Sequence, residues 1–292
     1  MPASPFRCVL DLKASLGECP VWSIAEQALY FVDINAPSLV RFDPATGAHR
    51  AMPLPSSVGC FGLRARGGFV LALRDGVWHA DAHGKPGRKV ADAPYDPSHH
   101  RFNDGRVDRQ GRFWVGTMNE NRDANTAALY RLDPDGTLDR VLDDLMISNG
   151  LAWSPDGRTM YHADTPTHTV RAFDFDPASG MPSRPRTFAH WDGATDRPDG
   201  GAVDSRGHYW TAFYRGGKIV ELDPAGRVVR EIPFPGMCPT MCAFGGPDLK
   251  TLYVTSARQE RPDDELARFP QSGGVFAMAV EAPGLPDPLY AG

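Results

Sequence analysis

The sequence predicts an all-β fold, a six-bladed β-propeller, and three observations lead to it. A short run of β-branched and aromatic residues recurs six times along the chain. Successive runs lie roughly 40 to 50 residues apart, which is the period at which propeller blades repeat. Turn sequences rich in Asp, Gly and Pro flank the runs, and these residues supply the backbone angles that tight hairpins need.

The recurring run is the aromatic strand expected in each blade. Its six copies cover residues 28–33, 68–73, 111–116, 158–163, 208–213 and 251–256. In four units a second strand follows and ends in another turn, at residues 39–44, 129–134, 170–174 and 219–224. Apolar residues alternate there with period two, which indicates half-buried strands and not helices. A β-sandwich also has regular strands and turns, but it fits a repeat of this length less well.

Length, composition and charge are those of an ordinary globular protein. A single propeller has no internal boundary, so residues 1–292 are expected to form one domain. The chain is 41% hydrophobic and carries a formal net charge of −5. Because nucleic-acid binding requires clustered Lys and Arg, this charge and the lack of a basic run argue against a nucleic-acid partner.

Targeting features are also missing from the sequence. The first residues lack the charged and apolar regions of a secretory signal, and no run of eighteen apolar residues predicts a membrane span. The cysteines are odd in number and scattered, which indicates reduced thiols: Cys8, Cys19, Cys60, Cys238 and Cys242. We therefore expect a cytoplasmic monomer without a membrane partner.

Polar side chains at equivalent places in different blades are expected to meet at the mouth of the central channel. Four stretches precede aromatic strands and carry such side chains: residues 16–22, 101–108, 147–157 and 197–204. Each stretch alone is also explained as a solvated turn. Aligned by their repeats, however, Asn103, Asn149 and Asp199 occupy one position, and Glu18 precedes its strand in the same way.

Carboxylate and amide oxygens without a thiolate are ligands of hard divalent cations, namely Ca²⁺, Mg²⁺ or Mn²⁺. Zn²⁺ and Fe²⁺ also fit where the geometry leaves open positions. Two carboxylates and one or two amides leave room for water or a substrate. The donor set therefore suits a divalent cation and leaves its identity open.

Seven motifs are spread from about Leu10 to Val280. They are Leu16-Gly-Glu-x-Pro-Val-Trp22, Arg101-Phe-Asn-Asp-Gly-x-Val-Asp108, Gly111-Arg-x-x-x-Gly-Thr-Met118, Ser148-Asn-Gly-Leu-Ala-Trp-Ser-Pro-Asp-Gly157, Pro198-Asp-Gly-x-x-Val-Asp204, Phe244-Gly-Gly-Pro-Asp-Leu-Lys-Thr-Leu-Tyr-Val-Thr-Ser-Ala257 and Gly273-Gly-Val-Phe276. Together the motifs resemble the gluconolactonase/regucalcin (senescence marker protein) family of sugar lactonases. The resemblance implies a six-bladed propeller that holds one divalent cation and hydrolyses an aldonolactone to the aldonic acid in carbohydrate catabolism.

The resemblance also implies roles for individual residues. Glu18, Asn149 and Asp199 match the family's metal ligands, and Asp199 also matches its general base. One departure lies beside them, because Cys19 stands where the family usually has Gly. A small, readily buried Cys is expected to be tolerated there.

The implied substrate contacts come from two further places. Arg101 and Asn103 match the family's substrate-contacting pair. Glu120 and Asn121 lie in a stretch that only partly resembles the acidic segment some members use against the sugar. The resemblance therefore implies that these four residues bind a small sugar lactone, and it leaves D-xylono-, L-arabino-, L-fucono- and D-gluconolactone open.

Lactone hydrolysis requires a polarised carbonyl, an activated water and stabilisation of the developing oxyanion. A divalent cation supplies the first and third, and Asp199 is suited to accept the proton of the water. Two rival functions stay open: a metal-dependent esterase or organophosphate hydrolase on the same fold, and a propeller that binds Ca²⁺ without catalysis. A serine hydrolase is disfavoured because the chain has no Gly-x-Ser-x-Gly elbow.

None of the histidines is put forward as a site residue, and whether His99 or His100 approaches the site stays open. A solvated loop is the favoured interpretation of the His99–His100 pair, although it precedes the Arg101 motif. His79, His162 and His168 lie in or beside strands and are expected to be structural.

Overall fold

Twenty-four strands form six four-stranded antiparallel sheets in the computed structural model, which describes residues 4–292. The sheets are the blades of a β-propeller, as the sequence predicts. From the channel outwards, blade one consists of β2 (Gly17–Ser23), β3 (Ala28–Asp33), β4 (Ser38–Phe42) and β5 (His49–Pro53). Blade two consists of β6 (Val58–Leu63), β7 (Phe69–Leu73), β8 (Gly76–Ala80) and β9 (Pro86–Asp92). Blade three consists of β10 (His100–Val107), β11 (Phe113–Asn119), β12 (Ala127–Leu132) and β13 (Leu138–Leu145). Blade four consists of β14 (Ser148–Trp153), β15 (Thr159–Asp164), β16 (Thr169–Asp176) and β17 (Met181–His190). Blade five consists of β18 (Pro198–Val203), β19 (Tyr209–Phe213), β20 (Lys218–Leu222) and β21 (Val228–Pro233).

The sixth blade joins the two ends of the chain. Its strands are β22 (Pro239–Gly245), β23 (Thr251–Ser256), β24 (Val275–Ala279) and, outermost, β1 (Arg7–Leu10). Arg7 of β1 pairs with Ala277 of β24. Hydrogen bonds between the first and last strands therefore close the ring of blades.

Helical structure is short. A 3₁₀ turn covers Thr165–Thr167, and the α-helix α1 covers Asp263–Arg268. Among residues 4–292, no helix has the length and apolar character needed to cross a bilayer.

Burial decreases from the channel side of each blade to its outer edge. The six aromatic runs noted in the sequence form the second strands, and every residue of β3, β7, β11 and β19 is buried. Outer strands are polar, and in β17 no residue is buried. Packing of aromatic second strands between neighbouring blades therefore forms the core, which includes Trp114 and Trp210 at 0% exposure.

One end of the central channel is closed by the C-terminal segment. Asp287 lies there and accepts a hydrogen bond from Arg106 Nη1 at 2.9 Å and another from the backbone of Trp22 at 3.1 Å. Arg106 also donates to the carbonyl oxygens of Leu151 and Gly201 at 3.2 and 2.9 Å. A cavity of about 60 Å³ lined in part by Arg106 and Asp287 lies at this end, and a cavity of about 400 Å³ opens at the opposite mouth.

A β-bulge interrupts every innermost strand near that open mouth. The pairing register between first and second strands shifts in all six blades, at positions that agree to within one residue. A bulge leaves residues out of the ladder and redirects their side chains. The repeated bulge thus supplies six positions from which side chains can reach the channel.

Candidate metal and substrate site

Each innermost strand has one blade-equivalent residue at its bulge or directly before it. These residues are Glu18, Gly59, Asn103, Asn149, Asp199 and Thr240. Gly59 offers no ligand, and a Cβ there would lie 2.3 Å from the carbonyl carbon of Phe102. Thr240 uses its hydroxyl on the carbonyl oxygen of Gly17 at 2.6 Å. Four oxygen-bearing side chains therefore remain.

A cavity of about 400 Å³ opens above these residues. Glu18, Arg101, Asn103, Asn149 and Asp199 all line it. The volume lies within the range of about 300–1,000 Å³ that is usual for small-molecule sites. The structure thus brings together five of the seven residues that the sequence puts forward.

Glu120 and Asn121 are not among the described residues that line the cavity. The Glu120 carboxylate accepts hydrogen bonds at 2.8 and 2.9 Å from Arg74, and it lies 3.7 Å from Arg101. Asn121 is exposed, and its backbone N–H donates to Asn119 Oδ1. In this arrangement Glu120 positions arginine side chains, and a substrate contact by either residue stays a prediction.

A chain of hydrogen bonds fixes the orientation of the Asn149 amide. Arg101 Nη1 donates to Asn103 Oδ1 at 2.7 Å, and Asn103 Nδ2 donates to Asn149 Oδ1 at 2.8 Å. Asn149 Nδ2 in turn donates to the hydroxyl of Thr165 at 2.7 Å, which donates to the carbonyl oxygen of Pro198 at 2.8 Å. Because Nδ2 of Asn149 donates to Thr165, the amide oxygen Oδ1 is the atom that faces Asn103.

Two carboxylates in the cavity have few partners. Glu18 accepts one hydrogen bond, from the N–H of Cys19 at 3.2 Å, and Asp199 accepts none from the described residues. Burial raises the pKa of both groups, to about 8 for Glu18, and the negative charge of Glu18 raises the pKa of Asp199 further. Asp104 lies close enough to add to this repulsion, and its Oδ1 is buried without a partner.

This donor set fits a divalent cation. Isolated buried carboxylates are unfavourable, and a cation between Glu18 and Asp199 removes both the repulsion and the shortage of partners. The Asn149 amide adds a third, neutral oxygen whose orientation is already fixed. Outer hydrogen bonds of this kind are what orient metal ligands in proteins.

A second acidic cluster, at the far end of β18, is unsuited to a cation. Asp204, His208 and Glu221 have ligand atoms within 4.8 Å of one another. Arg206 Nη2 lies 3.1 Å from Asp204 and 3.0 Å from Glu221, and Arg230 donates to the other oxygen of Glu221 at 2.5 Å. Two guanidinium groups therefore already neutralise these carboxylates.

Several polar residues of the cavity were not put forward from the sequence. They are Arg122, Thr165, His168, Arg197, Tyr214, Arg215 and Gln259. His168 was expected to be structural, but it lines the cavity, and its Nδ1 bonds to the carbonyl oxygen of Gly193 at 3.0 Å. By contrast, His162 is buried against the Ser148 hydroxyl and His100 bonds to Thr126, so neither lines the cavity.

The chain belongs to the family described as "SMP-30/Gluconolactonase/LRE-like region", whose profile matches residues 16–258. The resemblance noted in the sequence is thereby confirmed. The chain is 49% identical over 288 residues to a 6-deoxy-6-sulfogluconolactonase of Pseudomonas putida, with 98% of each protein covered. It is 33% identical to human regucalcin over the full length of both.

Among solved structures, the chain is similar to a calcium-binding regucalcin from Agrobacterium tumefaciens. The TM-score is 0.93 at 29% sequence identity, and the match covers 99% of this chain and 97% of that one.

Proposed function

We propose that this member of the SMP-30/gluconolactonase/LRE-like family hydrolyses a sugar lactone to the aldonic acid at one divalent cation held by Glu18, Asn149 and Asp199. The observation that carries the proposal is the convergence of an oriented amide and two buried carboxylates, which together accept a single hydrogen bond from the described residues, in one cavity. The enzyme class predicted from the sequence, a lactone hydrolase, is confirmed by the Pseudomonas relative.

Different residues of the site have different roles in hydrolysis. Glu18, Asn149 and Asp199 would hold the cation, which would supply Lewis-acid polarisation of the lactone carbonyl. Asp199 faces the cavity without a hydrogen-bond partner among the described residues, so its carboxylate is free to orient a water and accept its proton.

Arg101 and Asn103 have a more limited role in substrate binding. Arg101 Nη1 is engaged by Phe102 O at 2.9 Å and by Asn103, whose amide is engaged in turn by Asn149. The part of the Arg101 guanidinium that makes neither of these hydrogen bonds remains available to sugar hydroxyls. We propose that Arg101 positions the substrate, while Asn103 chiefly holds Asn149.

The lining of the cavity favours a polyhydroxylated substrate over the ester of the rival proposal. Most of the lining residues are polar or charged, and Tyr214 is the one aromatic residue described among them. An apolar ester would bury the part of the Arg101 guanidinium that makes no hydrogen bond without giving it a partner, which is costly.

Other features predicted from the sequence stay proposals. They are a single domain over residues 1–292, a monomeric state, a cytoplasmic location and a role in carbohydrate catabolism.

The proposal is tested with a pH-indicator assay on a panel of aldonolactones. Metal-stripped protein is assayed alone and after addition of Ca²⁺, Mg²⁺, Mn²⁺, Zn²⁺ or Fe²⁺. We expect metal-dependent acid release from at least one lactone, and loss of at least about 10²-fold in Asp199→Asn because the proton acceptor is removed.

The matched control is Asp204→Asn, which changes the same side chain at the opposite end of β18. It should keep its activity once its folding has been checked by circular dichroism. Metal binding without hydrolysis of any lactone would support the non-catalytic alternative.

A further inference from the structure

Positive charge at the cavity exceeds what the proposed cation site requires. Four arginines line the cavity: Arg101, Arg122, Arg197 and Arg215. Two of them have carboxylates nearby, since Arg101 lies 3.7 Å from Glu120 and Arg215 lies 3.5 Å from Glu260. Within residues 4–292, Arg122 and Arg197 have no carboxylate within 4 Å of their guanidinium nitrogens and no side-chain hydrogen bond.

A simple count of charges shows the excess. A divalent cation offsets the two negative charges of Glu18 and Asp199. The guanidinium groups of Arg122 and Arg197 then leave the cavity with uncompensated positive charge. Hydroxyl groups of a neutral sugar need no such charge, whereas the planar fork of a guanidinium matches the oxygens of a carboxylate, sulfonate or phosphate.

The two arginines stand on either side of the cavity mouth. Arg122 follows β11 in blade three, and Arg197 directly precedes β18 in blade five. Blade four lies between them and contributes His168. An anionic group held between blades three and five would lie at the mouth, while the lactone ring reaches Asp199 at the base.

Arg197 is the better fixed of the pair. Its side chain is half-buried, its backbone N–H donates to Thr195 O at 3.0 Å, and its carbonyl oxygen accepts from Tyr214 at 3.1 Å. Arg122 is exposed on a loop, with φ of 56°. We therefore expect the larger contribution from Arg197, because less side-chain freedom is lost when it binds.

We propose that the substrate is an aldonolactone with an anionic group at the end of the sugar remote from the lactone carbonyl, and that Arg197 and Arg122 bind this group. The proposal rests on the proposed lactonase function and adds the substrate class and two specificity-determining residues. A sulfonate, a phosphate and a carboxylate share the required chemistry, and the test distinguishes them.

The test compares charged and neutral lactones as substrates. The charged probes are 6-deoxy-6-sulfo-D-gluconolactone, 6-phospho-D-gluconolactone and a D-glucaric acid lactone, and the neutral probe is D-gluconolactone. We expect kcat/KM for at least one charged probe to exceed that of the neutral probe by about 10-fold or more. Arg197→Gln should lower kcat/KM for that probe about 10- to 100-fold, mainly through KM, and leave the neutral probe within about 3-fold.

Arg122→Gln should act in the same direction but less strongly, and Arg88→Gln should change nothing. Arg88 is an exposed arginine of the outer strand β9, so this control removes one positive charge outside the cavity. Equal losses on charged and neutral probes, or no loss on either, would overturn the assignment even if the chain is an efficient lactonase.

A binding measurement distinguishes a failure of the anion-binding proposal from a failure of the lactonase proposal. Calorimetry measures the affinity of the metal-loaded protein for the hydrolysed acid of the preferred charged probe and for D-gluconate. Weaker binding of the charged acid by Arg197→Gln, about 10-fold or more, supports anion recognition even if no lactone is turned over. Equal affinity of the unmodified protein for both acids would contradict it.

Discussion

At the residue scale, the site depends on which amide atom Asn149 presents. An amide can bind a cation only through its oxygen, so the nitrogen needs an acceptor elsewhere. Thr165 provides that acceptor and is itself held by the carbonyl oxygen of Pro198. A residue without a charge thus controls a proposed metal ligand from the neighbouring loop.

Thr165→Val should weaken metal binding about 10- to 100-fold, because it removes the hydroxyl and keeps the shape of the side chain. Calorimetric titration of the metal-stripped protein with Ca²⁺ or Mn²⁺ measures the change. Thr165→Ser keeps the hydroxyl and serves as the matched control. Wild-type affinity in Thr165→Val would show that the hydroxyl does not orient the amide.

At the element scale, the bulge in each innermost strand is the feature that directs side chains of the repeated blades towards one site. It allows neighbouring innermost strands to approach closely while their side chains reach the channel mouth. The approach is closest between β6 and β10, where Gly59 faces the backbone of Phe102. The absence of a side chain at Gly59 therefore maintains the place of Asn103, the next residue on β10.

Gly59→Ala should reduce the free energy of unfolding by at least about 1–3 kcal/mol, because the added methyl group meets backbone atoms that cannot rotate away. Urea denaturation followed by fluorescence measures the loss. Gly87→Ala, on β9 of the same blade, is the control, since its nearest neighbour would be 3.8 Å away. Equal stability of the two variants would show that β10 shifts to accommodate the methyl group with no loss in the free energy of unfolding.

The repeats explain which part of the site could be predicted from the sequence. The convergence of Glu18, Asn103, Asn149 and Asp199 could be predicted because blade-equivalent positions can be aligned without knowing any loop, whereas their roles rest on the family resemblance. Arg122, Thr165 and His168 were missed because they lie in loops after the second strands β11 and β15. A hairpin brings the end of its second strand back to the start of the first, so polar residues directly after the aromatic runs were an available signal.

The role of Glu120 illustrates what sequence could not decide. The resemblance implies that Glu120 contacts the sugar, but its carboxylate is directed to Arg74 of blade two. That pairing depends on how two blades pack, which no motif within one blade records. The closing of the sixth blade by β1 went unpredicted for the same reason, since it pairs residues from opposite ends of the chain.

At the scale of the whole molecule, two contacts close the propeller. The pairing of β1 with β24 closes the ring, and the Arg106–Asp287 ion pair closes one end of the channel. Both side chains of the ion pair are only 12% exposed. Through its other hydrogen bonds, Arg106 links blades three, four and five to the C-terminal segment.

Asp287→Ala should lower the free energy of unfolding by about 3–5 kcal/mol, because it leaves the Arg106 guanidinium buried without its counter-charge. Arg106→Met removes the other partner. In the double variant, the loss should be smaller than the sum of the two single losses, as expected for groups in contact. Denaturant unfolding of the four proteins checks this, and strictly additive losses would contradict a direct role for the pair.

The central claim is that one cation between Glu18, Asn149 and Asp199 enables hydrolysis. The most direct measurement titrates metal-stripped protein with Mn²⁺ or Ca²⁺ and records bound ion and lactone hydrolysis in the same samples. The account predicts that activity rises with occupancy and saturates at one ion per chain, and that Glu18→Gln weakens binding and activity together. Full hydrolysis by the stripped protein, unchanged in Glu18→Gln, would contradict it.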